Sequence, residues 1–466
     1  MVTLVLLVAL ALVITIGFFA SRATANTAQS YFIGDRSLGP IQTALSASAT
    51  ANTGFVVIGA VGMGYSMGLT SITYSLAWLA GDIVYWFFVA ERINRVSRDV
   101  GAVTVVDIVE KKGGGRLLSV VISMLIVVML TIYTSAQFTA AGKVLEGFFH
   151  IESFAGVLVG LLVVLAYTLF GGFRASVWTD VLQAIFMFAL AFGSLVWVVV
   201  SFGGVGVFSE YLGAVGSGYA DITGGRSTLN FILFMVGFAF AGFGFNLSQP
   251  QVTTRIMACR DAASVGQAKW LYIFSLHSVW ISMCFIGMGA NGLLAPVADP
   301  ELALPALAQA NFNEFFAAAV LVGMFAAILS SVDSLLISTS SSIAVDILQI
   351  KHGTAIYRAL VAFVGIAAAV ISVYLSATVF QASLLAATIL AASIGPVVFI
   401  SVFNFRRSST SMLISLIGGL SSALMWRHFA LDGIISDSIV GFTVAILLNG
   451  LIAPKHSSDG ELDGKH

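Results

Sequence analysis

The stretch AAILSSVDSLLISTSSS, residues 326–342, decides how this chain is read. It sets a carboxylate, Asp333, and a run of hydroxyls inside sequence apolar enough to lie in a bilayer. An Asp near the bilayer centre costs about 2.5–3.5 kcal/mol on insertion scales, so such a group faces a protein interior, a water-filled cavity or an ion. Ser330 and Ser331 offer neighbouring hydroxyls, and the Ala327 carbonyl lies one turn before Ser331 on the same helix. Sodium is a hard cation that binds through oxygens, and inside a membrane these come from carbonyls freed by unwinding and from hydroxyls beside them. Two readings of the serines stand: an ion site, or hydroxyls bonded back to their own i−4 carbonyls in a packed helix. Asp333 and Ser334 continue the helix, with Asp333 on the face of Ser330.

Working outward, the 466 residues are 59% hydrophobic and only 9% charged, with a mean hydropathy of +1.01. Soluble domains carry about 25% charged residues, so the chain is an all-α integral membrane protein. Its net charge of −1 gives no basis for a nucleic-acid partner. Residues 1–20 lack a basic leader and a small-residue cleavage signal and read as a retained span. With about 20 apolar residues per crossing, thirteen spans are predicted. They start near Val2, Leu38, Leu69, Leu117, Phe154, Val177, Leu229, Gln267, Phe315, Ala355, Phe380, Met412 and Ser438. Sorted into alternate loops, all lysines and arginines but Lys143, Arg226 and Arg427 fall on one side. By the positive-inside rule the N-terminus is outside and the C-terminus cytoplasmic. The tail over residues 455–466 is polar and expected to be disordered.

Two segments about five spans apart share a character. TALSASATANTG (residues 43–54) and VGFAFAGFGFNLSQ (residues 236–249) are rich in small, helix-weakening residues, and Pro250 closes the second. They fit discontinuous helices of an inverted-repeat transporter, or close packing through small residues. Gly171 and Gly172 read as a tight turn.

Two further carboxylates lie in apolar surroundings, Asp180 in RASVWTDVLQ and Asp82 in LAWLAGDIVYWFF. Each is either functional or a protonated or helix-capping group. Tyr74, Trp78, Tyr85 and Trp86 read as lipid-facing or packing surface. The six histidines are scattered without metal-ligand spacing, Cys259 and Cys284 form no framework, and no nucleophile, base and orienting group assemble a catalytic set. The chain is not read as an enzyme.

The chain resembles the sodium:solute symporters, and within them the sodium/proline branch. The resemblance rests on YFIGDRSLGPIQTALSASA (residues 31–49), AERINRVSRDVGAVTVVDIVEK (90–111), TIYTSAQFTAAGKVLE (131–146), GGFRASVWTDVLQ (171–183), SQPQVTTRIMA (248–258) and AAILSSVDSLLISTSSSIAVDIL (326–348). It implies a leucine-transporter-type core of two inverted five-helix repeats, residues 38–203 and 204–403. An extra helix and loop over 1–37 precede them, and two peripheral helices over 404–454 follow. It also implies a sodium site with carbonyls at Ala49, Asn52 and Ala327 and hydroxyls at Ser330 and Ser331. Asp180, Asp333 and Ser334 match positions of a second sodium or proton site, and Arg36 matches an arginine that supports coupling at the cytoplasmic end.

Where the proline branch has an Asp, this chain has Ala51, and where that branch has aromatics before the Gln-Pro motif it has Gly242 and Asn246. Asp333 is therefore expected to restore the charge missing at Ala51, as a sodium ligand or a proton carrier. The expected activity is sodium-driven import of a small polar solute, an amino acid or small carboxylate, across the cell membrane by alternating access. The protein is expected to work as a monomer, with Na+ as its coupling ion. Thr50, Thr53, Asn246, Ser248, Gln249 and Gln137 are the candidate solute residues. The alternatives are a transporter-like solute sensor or regulatory subunit, and a proton-coupled carrier of the same fold.

Overall fold

The computed structural model describes residues 1–22, 24–374 and 377–454; the expectation for the tail over 455–466 lies outside the described residues. Among these residues the elements are helices throughout. In chain order they are α1 (Val2–Ser21), α2 (Ala28–Ile33), α3 (Pro40–Ala51), α4 (Val61–Met67), α5 (Thr70–Phe88), α6 (Ala90–Asp99), α7 (Val105–Val109), α8 (Gly115–Phe149), α9 (Ser153–Ser201) and α10 (Val205–Val215). There follow α11 (Thr228–Ser248), α12 (Pro250–Ala258), α13 (Ala262–Leu293), α14 (Ala303–Asn311), α15 (Glu314–Ser341), α16 (Thr354–Tyr374), α17 (Val379–Val402), α18 (Ser409–His428) and α19 (Asp437–Ile452).

Nine helices among the described residues are long and apolar enough to cross a membrane, or up to eleven if each of two bent pairs is one span. The sequence predicts thirteen, and two features account for the difference. The expected fifth and sixth spans form one 49-residue run, α9, turned at Gly172 with φ 53° and ψ −142°. Glycine is required there, since a Cβ would lie 2.6 Å from the Tyr31 carbonyl oxygen. The last helix, α19, has 16 residues, short of a full apolar crossing.

Burial separates centre from rim. The most apolar window of α15 is 83% buried and that of α17 is 89% buried, against 17% for α1. The centre is thus α15 and α17, and α15 packs on α1, α3, α8 and α9 while α11 packs on α5 and α17. The stretch that looked costly in sequence lies in this centre, where every residue from Val320 to Ser341 is buried.

Two of the three basic residues set apart by the sequence pair with acids. Lys143 holds Asp299 and Glu301 at 2.7 and 2.6 Å, and Arg427 holds Asp437 at 2.6 Å. Arg226 shares a cleft with Arg427 and Asp437. Cys259 and Cys284 are both buried free thiols.

Candidate ion and solute site

The helix begun by α3 stops where its sequence weakens. Pro40 starts it without wasting a backbone donor, and it ends at Asn52, whose ψ of 71° is no longer helical. The chain resumes as a π-helical turn, Phe55–Ala60, leading into α4 and bent 58° from α3. Two side chains meet the donors freed at the break: Gln137 Oε1 accepts from Gly54 N at 2.7 Å, and Thr53 Oγ1 from Phe55 N at 3.0 Å. The carbonyls on the other side of the break are left to face α15.

There the serine pair meets them. Ser330 Oγ donates toward Ala49 O at 3.1 Å and Ala327 O at 3.0 Å, and Ser331 Oγ toward Thr50 O at 3.2 Å and Ala327 O at 3.1 Å. Each hydroxyl bonds back within α15, and each also crosses to the broken helix. Ala49, Ala327, Ser330 and Ser331 are brought together, with Thr50 O added. Asn52 is not hydrogen-bonded to the pair, but its side-chain oxygen is buried without a partner. The assembled donors are all oxygens, and hydroxyls accept as readily as they donate, which suits a hard monovalent cation.

Beside this cage lies a network whose central residue the sequence reading left in a loop. Arg255 of α12 is fully buried, with 1% of its surface exposed. Its Nη2 donates to Asp180 Oδ2 at 2.9 Å, Ser176 Oγ at 2.9 Å and Ser334 Oγ at 2.5 Å. Its Nε donates to Ser46 Oγ at 2.9 Å, and Ser46 donates onward to Asp180 Oδ2 at 2.6 Å. One guanidinium thus ties α3, α9, α12 and α15 together. Asp333 joins through Ser176, which donates to its Oδ1 at 2.9 Å, and Thr50 Oγ1 lies 3.1 Å from Ser334 Oγ. Among the described residues Asp180 Oδ1 and Asp333 Oδ2 are buried with no hydrogen-bond partner. Two carboxyl groups stand beside one arginine, so with both ionised the cluster is one positive charge short of neutrality.

The second weak segment breaks between α11 and α12, at Gln249 and Pro250; proline disfavours a helical conformation in the residue before it. Asn246 Nδ2 donates to Asp82 Oδ1 at 2.6 Å, and its carbonyl accepts from Thr253 Oγ1 across the break at 2.7 Å. Ser248 bonds back to Gly244 O at 2.8 Å. Gln249 Oε1 accepts from Gln251, and Gln249 Nε2 is buried without a partner.

Between the two breaks is a cavity of about 30 Å³ lined by Ala51, Phe55, Trp78, Tyr133, Phe245, Leu276, Trp280, Ser383, Leu384 and Ala387. Such a volume holds a water or two. Trp78, expected as packing or lipid-facing surface, packs on Phe238, Phe245 and Trp280 and is also part of the cavity wall; Tyr85 and Trp86 are fully buried, and Tyr74 packs on Phe234 and Phe238. Leu384 also lines the neighbouring cleft that holds Arg226 and Arg427. Phe55 and Phe380, stacked 5.1 Å apart, stand between the two spaces. Of the expected solute residues, Thr53 bonds the cavity tyrosine Tyr133 and Gln137 Nε2 donates to the cavity serine Ser383 at 3.3 Å. Thr50, Asn246 and Ser248 are engaged elsewhere.

Arg36 sits at the opposite end from Arg427. Its guanidinium donates to Ser97 Oγ, Ser97 O, Met257 O and Ala102 O at 2.9, 3.0, 2.8 and 2.5 Å. Burial, aided by nearby Arg98, pushes its pKa down to about 10, which leaves it charged at neutral pH. It joins the end of α12 to the turn between α6 and α7.

A family model described as the Sodium:solute symporter family matches residues 31–419. The chain belongs to this family. Relatives within reach of it include the high-affinity proline transporter PutP of Bacillus subtilis, 29% identical over 455 residues and covering 93% of each chain. The osmoregulated proline transporter OpuE of the same organism is 27% identical, covering 94% of this chain and 91% of its own. A Na+-coupled sialic acid symporter in a substrate-bound outward-open state superposes with a TM-score of 0.82 at 16% identity, covering 98% of both chains. The closed, bromovinylhydantoin-bound form of Mhp1, a nucleobase-cation-symport-1 family transporter, superposes with a TM-score of 0.59 at 14% identity, covering 92% of this chain and 96% of its own. These symporter structures establish the shared fold.

Proposed function

We propose that this protein is a sodium-coupled secondary active symporter that imports a small polar organic solute, an amino acid or small carboxylate, across the cell membrane. One observation carries the reading: the α15 hydroxyls of Ser330 and Ser331 converge on carbonyls exposed by the break in α3. The ion would be held by Ala49, Asn52 and Ala327 carbonyls and the two hydroxyls, with Thr50 O within reach. An ion there clamps α15 to α3 next to the solute cavity, which is how its binding favours solute binding in the same conformation. One charge crossing 100 mV supplies about 2.3 kcal/mol before any gradient is added.

The helices are read as thirteen spans with a five-plus-five inverted-repeat core, the N-terminus outside and the C-terminus cytoplasmic. Gly172 dividing α9 and the local pairing of Lys143 and Arg427 with acids support this order. Phe55, Phe380 and Leu384 form the thin barrier toward the outer cleft, and Arg36 holds the cytoplasmic end shut. The solute meets Trp78 and Trp280 with its apolar part, and Ser383, Gln137, Thr53 and the free Gln249 Nε2 with its polar groups. Thr50, Asn246 and Ser248 position the two breaks around it. The relatives' substrate makes L-proline the first solute to try. Because Asp180 and Asp333 outnumber Arg255, a second sodium or a proton completes that cluster, with Ser334 as a further ligand.

Uptake of L-proline and other amino acids into proteoliposomes, with inward sodium, proton or potassium gradients, tests the reading. Sodium-driven uptake that weakens at least tenfold in sodium affinity in the Ser330→Ala, Ser331→Ala double variant supports it. Proton-driven uptake untouched by that variant identifies the proton-coupled carrier, and sodium-dependent binding without flux identifies the sensor.

A further inference from the structure

Behind the cavity wall lies a second titratable pair that the sodium reading does not use. Asp82 of α5 and His277 of α13 are buried, with His277 Nε2 3.0 Å from Asp82 Oδ2 and His277 Nδ1 3.1 Å from Ser75 Oγ. Asp82 Oδ1 accepts from Asn246 of α11. Each strand of this network adjoins a cavity residue. Trp78 is one turn before Asp82, Phe245 precedes Asn246, and Leu276 and Trp280 flank His277 on α13. The His277 and Trp280 rings are nearly parallel, 6.3 Å apart.

The other titratable groups facing the pair are Tyr85 of α5 and Tyr272 of α13, whose hydroxyl reaches Asn246 Oδ1 at 3.5 Å. From α12 comes Thr253, neutral and bonded to Asn246 O. Among the described residues no lysine or arginine pairs with Asp82. A carboxylate with a neutral imidazole would leave one uncompensated negative charge in the membrane interior, at a cost of several kcal/mol. A single proton removes that charge by making an imidazolium–carboxylate pair, and both ring nitrogens then have oxygen partners.

We propose that Asp82 and His277 form a proton-binding site, separate from the sodium cage, that is loaded while the break between α11 and α12 is closed and exchanges its proton when the cavity opens. Opening moves Asn246 and Phe245 away from α5 and α13, admits water to Asp82 and removes the penalty on the unloaded pair. Proton exchange then accompanies solute movement. The step is protonation alone: a proton from water joins His277 Nδ1 or Nε2, and the same proton returns to water.

Proton occupancy needs no transport to be measured. In full-length protein labelled with ¹⁵N-histidine, purified in detergent without solute, the His277 signals are those missing from His277→Gln. The expected spectrum has both His277 nitrogens protonated at neutral pH in wild type, with proton affinity about tenfold lower in Asp82→Asn, equivalent to one pH unit. A singly protonated ring in wild type, or an affinity unchanged in Asp82→Asn, overturns the site. The link to transport rests on the symport reading, and is checked by sodium-driven L-proline uptake with an added pH gradient. A several-fold response in wild type that is absent in His277→Gln supports coupling, and an equal response in both overturns it. Absence of any uptake would count against the symport reading and leave the NMR result to decide the proton site.

Discussion

Two buried acid networks flank the cavity, and they are neutralised differently. On one side Asp180 meets Arg255, whose guanidinium stays charged in any protein environment. On the other Asp82 meets His277, whose charge is conditional on a proton. A fixed cation makes a permanent structural joint among α3, α9, α12 and α15. A conditional one makes a joint between α5, α11 and α13 that solvent access can alter. The difference suggests that the ion side of the cavity is built to hold its shape and the other side to change.

Breaking the fixed joint has the largest expected effect. Arg255→Met leaves Asp180 and Asp333 buried without their cation, and removing one partner of a buried pair costs about 3–5 kcal/mol. Thermal denaturation in detergent should show a large loss, most of it regained in Arg255→Met, Asp180→Asn. If the double variant is no more stable than the single, Arg255 acts through packing alone.

Next is the capping of the α3 break. Gln137→Ala strands the buried Gly54 N–H, costing about 1–3 kcal/mol. Sodium binding should weaken with it, because the exposed carbonyls are no longer held; a stability loss with unchanged sodium affinity would separate the cap from the cage.

His277→Gln keeps hydrogen-bonding groups in place but not the titrating one. A modest loss of thermal stability is expected, smaller than that of Arg255→Met. Arg255→Lys keeps the charge but not the forked guanidinium, and a larger loss than that of His277→Gln is expected. A larger loss of thermal stability in His277→Gln than in Arg255→Lys would reverse the contrast between the two networks.

The smallest effect is expected outside both networks, at Asp221. Its carboxylate accepts from the Thr223 and Gly225 amides at 2.9 and 2.7 Å, which hold its pKa below the usual carboxylate value. Its contribution is therefore present above the unfolded pKa and is lost as pH falls through the folded one. Asp221→Ala should loosen only its loop, seen as faster local hydrogen exchange, with neither acid network disturbed.

The serine pair was legible in the sequence because polar groups in an apolar helix need a reason to be there. The α3 break and the Gly172 turn were legible through small residues and glycine. Arg255 was not, since it falls just past Pro250, where the hydrophobic pattern ends, and a topology argument sorts every arginine into a loop. Its partner Asp180 is 75 residues away in sequence, and His277 is 195 residues from Asp82. No local periodicity links either pair. One signal was present: each of these acids required a partner, and Arg255 and His277 were among the few residues able to serve. Trp78 packs as expected on Phe238, Phe245 and Trp280, but helical spacing of aromatics cannot show that the same face also lines a cavity.

The central claim is that sodium is held between α3 and α15 by Ser330 and Ser331. The most direct measurement is the thermal stability of purified protein in sodium against potassium chloride at equal ionic strength, for wild type and Ser330→Ala, Ser331→Ala. A ligand that binds only the folded state stabilises it by about 2.7 kcal/mol at a hundred times its Kd. The expected result is a sodium-specific rise in melting temperature for wild type that is lost in the double variant. An equal sodium response in both proteins would contradict the account.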